Sequence, residues 1–310
     1  MKENNIMLSV HMITYNHEKY IANAIESVVN QKTKYKYEII IGEDCSTDNT
    51  LAIVKEYKER YPDVIRIISS ETNVGIFANV ERVTAACNGK YVAFLEGDDY
   101  WHNPNKIEVQ LDFMEKNPDY GFISSDIDYY HDRTGKLDVR HNHRKRRRKR
   151  HGLIFEELLR SNFIKTPTIC INKELFLKCN VSNLGKEKGW KMGDYPQWLE
   201  LSKNTKYYYE DQSLATYRIC EHSASHIQDH EKELEFDKST LDIRLYYIDK
   251  YSNNKALHIR NAVRVYIRDL YKILKKYKEE KYKLIIKDVI STYNYKLTFF
   301  DRIKFYKIFM

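Results

Sequence analysis

The stretch KYVAFLEGDDYW, residues 90–101, runs apolar from Tyr91 to Leu95 and then sets three carboxylates within four residues: Glu96, Asp98 and Asp99. A short continuous apolar run that ends in turn-forming residues reads as a strand buried on both faces. The acids at its end are the harder part to explain. Like charges this close disfavour one another's ionised form unless a counter-charge is present, and a divalent cation is the commonest one.

The residues on either side give the strand its setting. Upstream, IMLSVHMIT (6–14) reads as a strand, and EKYIANAIESVVNQ (18–31) spaces Tyr20, Ile21, Ala24, Ile25, Val28 and Val29 as one face of a helix. YEIIIG (37–42) and VIRIIS (64–69) read as strands around a helix that Pro62 stops, and NVGIFANVERVTAACNG (73–89) reads as a helix with Gly89 as its C-cap glycine. Downstream, Pro104 opens PNKIEVQLDFMEKN as a helix before the strand YGFISSDI (120–127). Strands alternating with helices of this length imply crossover units and a mostly parallel α/β sheet.

Ligands bind such sheets beyond the carboxyl ends of the strands. Thr14, Tyr15 and Asn16 close the first strand, Glu43 to Asp48 follow the second, and Glu96 to Asp99 follow the fourth. Each cluster alone is read as a turn or a helix cap. Three at successive strand ends converge on one edge. No GxGxxG or GxxxxGK[ST] follows the first strand, so neither of the common glycine-rich phosphate loops is available. Carboxylates holding Mn2+ or Mg2+ are the alternative means of neutralising a diphosphate.

Several ordered motifs carry a resemblance. VHMITYNHEKYIANAIESVVNQ (10–31), YEIIIGEDCSTDNT (37–50), NVGIFANVERVTAACNGKYVAFLEGDDYW (73–101), KMGDYPQWLELSKN (191–204) and ATYRICEHSASH (215–226) are together similar to family 2 glycosyltransferases of the bacterial type that builds surface polysaccharides. The resemblance covers residues 6 to about 230 and implies a GT-A fold: a Rossmann-like, mostly parallel sheet flanked by helices. The expected organisation is a catalytic domain over residues 1–235, with a basic loop inserted at 140–151, and a helical basic extension over 236–310.

The resemblance also implies roles. Thr14, Tyr15, Asn16, Glu43, Asp44, Asn73, Glu96, Asp98 and Arg218 would bind a nucleotide sugar; Asp98, Asp99 and His222 would hold Mn2+ or Mg2+; Asp194 would be the general base of an inverting transfer to a glycan or lipid-linked acceptor. Asp44 suits a uracil-like N–H because an ionised carboxylate is acceptor-only. Two departures concern reach: glutamate stands at 43 and 96 where aspartate is usual. A third is Cys220, two residues after Arg218, where relatives often carry histidine.

Charge adds a separate expectation. Residues 140–150 hold eight Lys or Arg and no acid, and residues 251–310 hold fifteen basic against five acidic groups. With a total of +8, the remaining 239 residues carry −10. An acidic core with basic appendages is not the footprint of a uniformly basic nucleic-acid binder. The run Arg144 to Arg150 is instead expected to meet anionic lipid headgroups or a polyanionic acceptor; the Lys-rich tail is read first as an amphipathic helix packed on the catalytic domain, with an anionic membrane surface as the alternative. Five scattered cysteines without CxxC spacing, no signal-like h-region and no apolar run near the ~18 residues of a membrane span point to a cytoplasmic protein, peripheral at the inner face of the plasma membrane.

Three rival functions use some of the same residues. A phosphohydrolase lacks its DxDxT nucleophile motif here, and a nucleic-acid binder leaves the acidic clusters without a use. A catalytically inactive glycosyltransferase-like binding module differs from the enzyme only in turnover.

Overall fold

The computed structural model describes residues 6–140, 151–220 and 229–297, and these form two compact units. The first comprises Met1–Ile154, Phe163–Ser182 and Glu200–Glu221; the second comprises Phe155–Asn162, Asn183–Leu199 and His222–Met310.

All nine elements expected between residues 6 and 127 are present. They are β1 (Leu8–Thr14), α1 (Ile21–Val29), β2 (Tyr37–Glu43), α2 (Thr50–Arg60), β3 (Ile65–Ile68), α3 (Ile76–Ala86), β4 (Tyr91–Glu96), α4 (Lys106–Lys116) and β5 (Tyr120–His131). Short segments follow: β6 (Lys136–Asp138), α5 (Phe155–Arg160), β7 (Cys170–Asn172), α6 (Lys173–Lys178), α7 (Ser182–Lys188), α8 (Asp194–Asn204) and β8 (Lys206–Ile219). Three helices complete the described chain: α9 (His230–Tyr251), α10 (Lys255–Tyr277) and α11 (Lys281–Thr292).

The sheet runs β3-β2-β1-β4-β7-β5-β6, with β8 paired to β5. Strands β1 to β4 pair parallel, as do β5 and β8, while β7 is antiparallel to both β4 and β5. Strands β2 and β4 are covered on both faces, which is why they carry unbroken apolar runs: Ile39, Ile40 and Ile41 of β2 are all fully buried. Ile21, Ala24, Ile25 and Val28, the helical stripe legible in the sequence, supply the buried face of α1.

Polar contacts fix the amino ends of the strands. Glu38 accepts hydrogen bonds from Ser9 Oγ (2.7 Å), the Asn88 backbone N–H (2.7 Å) and Arg66 (3.1 Å), so its buried charge is satisfied. Gly89 serves this junction and is not the C-cap its position suggested. Helix α3 ends at Ala86 with Cys87 as cap, and a Cβ at Gly89 would stand 2.4 Å from the Ser9 backbone nitrogen. Close approach of two backbones requires the glycine here.

The second unit is helical, and its short segments are tied to α9 by hydrogen bonds. Tyr195 donates to the Leu158 carbonyl (2.8 Å), Arg244 Nε donates to the Tyr195 hydroxyl (3.2 Å), and the Lys191 N–H donates to Ser239 Oγ (2.9 Å). No helix among the described residues is long and apolar enough to cross a membrane.

Candidate active site

In-register parallel pairing brings the carboxyl ends of β1, β2 and β4 side by side: Thr14 lies opposite Glu43, and Ile13 opposite Glu96. Loop contacts then sew the ends together. The Asp44 N–H donates to the Thr14 carbonyl (3.1 Å), Asn16 N–H donates to Ser46 Oγ (3.0 Å), and Asn16 Oδ1 accepts from the Thr47 N–H (2.8 Å). Asn16 makes these contacts from a left-handed backbone, φ 55°, a conformation asparagine tolerates better than most residues. Tyr15, beside it, is 42% exposed.

The acids after β2 organise their own loop. Glu43, fully buried, accepts from the Ser46 N–H (2.7 Å) and the Cys45 N–H (3.2 Å), while Asp48 accepts from the Thr50 N–H (2.9 Å) at the start of α2. Asp44 draws in the segment before α3 by accepting from the Val74 N–H (2.9 Å) and the Gly75 N–H (3.0 Å). Asn73 Oδ1 accepts from the same Gly75 N–H (3.0 Å), and Gly75 has φ 84°, where a side chain would be strained. Thr14, Asn16, Glu43, Asp44 and Asn73 thus share one corner. Arg82, which the sequence did not single out, stands 3.5 Å from Asp44 and donates to Asn79 (2.9 Å).

Beyond β4, Glu96, Asp98 and Asp99 each offer a carboxylate oxygen, and these oxygens lie within 4.8 Å of one another. The turn can sit this close to β1 because residue 97 is glycine: a Cβ there would be 2.6 Å from Thr14 Oγ1. Asp99 is 1% exposed, and its Oδ1 accepts from the Arg218 N–H (2.7 Å). Its buried Oδ2 has no hydrogen-bond partner among the described residues. Burial, then the neighbouring charges of Asp98 and Glu96, raise the Asp99 pKa well above the usual carboxylate range. An orphaned buried acceptor beside two further acids fits a hard cation, and oxygen-only donors suit Mg2+ or Mn2+.

Arg218, near the end of β8, closes this corner. Its Nε donates to the Asp98 carbonyl (2.9 Å), and its terminal nitrogens reach Asn23 Oδ1 (3.1 Å) and Asp132 Oδ1 (3.5 Å). The rings of Tyr20, Tyr100 and Tyr130 stand 4.9, 5.2 and 5.3 Å from the guanidinium carbon. Asp98 apart, none of these neighbours was legible as a site residue, since Tyr20, Asn23, Tyr100, Tyr130 and Asp132 reach Arg218 only through the fold.

Two sequence-predicted residues stand apart from this description. Asp194 is half-buried at the first position of α8 and belongs to the second unit. His222 lies outside the described residues, as does the basic run 144–150.

The profile described as "Glycosyl transferase family 2" matches residues 9–178, more than half of the chain. The chain belongs to glycosyl transferase family 2. Proteins of similar sequence include an uncharacterized protein of Mycobacterium tuberculosis, 41% identical over 112 residues, which are 36% of this chain and 32% of that one. The chain thus spans about a third of the length of the mycobacterial relatives it matches. The putative teichuronic acid biosynthesis glycosyltransferase TuaG of Bacillus subtilis is 30% identical over 221 residues, covering 71% of this chain and 81% of its own. Among solved structures, S. aureus TarS 1–349 in complex with UDP-GlcNAc superposes with a TM-score of 0.56 at 18% identity, covering 90% and 83% of the two chains. A Pyrobaculum calidifontis mannosyltransferase in complex with GDP-Man and Mn2+ gives a TM-score of 0.59 at 12% identity, covering 95% and 82%. The family 2 chain has the GT-A fold of these neighbours, with a helical C-terminal part.

Proposed function

We propose that this family 2 protein is an inverting glycosyltransferase. It would move a sugar from a nucleoside-diphosphate sugar, with UDP as the carrier, to a hydroxyl of a glycan or lipid-linked acceptor in surface-polysaccharide synthesis. The observation that carries the reading is the triad Glu96, Asp98 and Asp99, with one buried oxygen of Asp99 unpartnered at the carboxyl edge of a GT-A sheet. The relatives' names support the donor and the acceptor class: TarS was crystallised with UDP-GlcNAc, and TuaG is assigned to teichuronic acid synthesis.

Each residue's part follows from its chemistry. Asp44 Oδ2 accepts a single backbone N–H, while Oδ1 takes both Val74 and Arg82, so Oδ2 would take the N–H of the base, flanked by exposed Tyr15 and by Thr14, Asn16, Glu43 and Asn73. Glu96 and Asp98 would face the ribose and the diphosphate, and Asp98 and Asp99, with His222, would hold Mn2+ or Mg2+. The bound cation would neutralise charge on the departing diphosphate. Asp194 would take the acceptor proton as the acceptor oxygen bonds the anomeric carbon; the bond to diphosphate breaks with its electron pair, and the configuration inverts. The catalytic domain would comprise residues 1–235, and residues 236–310 would be a helical, basic extension. That extension and the loop 140–151 would rest on anionic lipid at the inner face of the plasma membrane.

The test is a panel of nucleotide sugars with Mn2+ or Mg2+, scored for nucleoside diphosphate release in the presence of lipid-linked acceptors. Metal-dependent release that Asp194→Asn abolishes is the expected result. Donor binding without release from any donor would favour an inactive binding module.

A further inference from the structure

We infer that Arg218 is a positioning residue for the acidic loop and does not itself meet the donor diphosphate. This rests on the metal reading above and assigns Arg218 a different part from the nucleotide-sugar contact that the family resemblance implied. The guanidinium has five N–H donors, and three nitrogens already serve protein acceptors: the Asp98 carbonyl, Asn23 Oδ1 and Asp132 Oδ1. Its side chain is only 12% exposed, with three tyrosine rings within 5.3 Å of the guanidinium carbon. A planar cation held among aromatic rings and an acid is fixed in direction as well as in charge.

The direction matters for Asp99. The backbone N–H of Arg218 holds Asp99 Oδ1 at 2.7 Å while its side chain holds the carbonyl of the preceding residue, so two bonds from one residue set the turn and the carboxylate. With Oδ1 occupied, Oδ2 remains the oxygen free for a cation, next to Glu96 and Asp98. The outer ring is built in turn: Tyr20 donates to Asp132 Oδ2 (2.9 Å), leaving Oδ1 toward Arg218. Tyr20, Asp132 and Arg218 therefore act on the metal site through orientation, as groups behind a ligand do in metal centres.

The experiment measures Mn2+ affinity without nucleotide, by the electron paramagnetic resonance of free Mn2+, and UDP affinity in EDTA by calorimetry. It uses the full chain and the variants Arg218→Gln, Arg218→Lys, Asp132→Asn and Tyr20→Phe. Arg218→Gln should weaken Mn2+ binding about tenfold or more, and Asp132→Asn and Tyr20→Phe by smaller factors, with UDP binding in EDTA unchanged. Arg218→Lys, which keeps the charge and loses the fork, should not restore Mn2+ affinity. Restored affinity would overturn the proposal, as would unchanged Mn2+ affinity in Arg218→Gln or a tenfold loss of metal-free UDP binding. Should Arg218→Gln fail to fold, Asp132→Asn and Tyr20→Phe decide on the same two readouts. Wild-type protein that binds no Mn2+ refutes the metal reading and this inference together; wild type that binds it while the variants do so equally refutes this inference alone.

Discussion

Asp99 divides its two oxygens between different surroundings. One oxygen takes the Arg218 N–H; the other is buried beside Glu96 and Asp98 without a partner. Asp99→Asn keeps an oxygen for that N–H and removes a like charge, so its melting temperature should equal or exceed that of wild type while Mn2+ affinity falls about 10–100-fold. Destabilised protein with intact metal binding would contradict the division. Lys106 is a second residue with an unusual setting. It is fully buried, bonded to Gln110 Oε1 (2.6 Å) and over the Trp101 ring (4.0 Å), and burial pulls its pKa down from 10.5 to about 7. Between those values the unfolded chain binds more protons than the folded one, so stability should rise with pH from about 7 to 10.5. Denaturant unfolding of Lys106→Met should show that rise flattened; an unaltered pH profile would rule the lysine out as its source.

At the scale of elements, what the sequence revealed depended on run length and on burial. β2 and β4 were legible because strands covered on both faces keep uninterrupted apolar runs, and α1 because its stripe repeats over nine residues. β7 was not, since three residues, Cys170–Asn172, carry no period, although it fills the sheet between β4 and β5. β5 runs four residues past the Ile127 expected as its end, because its pairing with β8 continues to His131 opposite Ile219. The acidic ends of β2 and β4 were visible as composition, but the ring around Arg218 was not, as its members come from residues 20 to 218 without a local spacing. Gly89 illustrates the same limit: a glycine near a helix end suggests a cap, and only the sheet shows the Ser9 backbone 2.4 Å from its missing Cβ. Gly89→Ala should therefore cost about 1–3 kcal/mol in urea unfolding, as overpacked substitutions do. An unchanged unfolding midpoint would return Gly89 to the role of a simple loop residue.

For the whole molecule the distribution of charge is the informative quantity. Between residues 260 and 276 of α10, each exposed residue is basic: Arg260, Arg264, Arg268, Lys272, Lys275 and Lys276. Lys272 and Arg268 share Asp269, and Lys276 lies 3.4 Å from Glu233, which moderates the positive face without neutralising it. Sedimentation with phosphatidylglycerol vesicles should show binding that fades as salt rises from 0.05 to about 0.5 M and weakens in the triple variant with Arg260, Arg264 and Arg268 changed to Gln. Equal binding to neutral vesicles would remove the membrane from the account. Nearer the sheet, the acids after β4 are proposed to hold a cation that meets a diphosphate. Anomalous diffraction at the manganese edge, from crystals soaked with Mn2+ and UDP, tests it most directly. The account expects a peak bounded by carboxylate oxygens of Asp98 and Asp99 and by the diphosphate. Bound UDP with no manganese at that position would contradict it.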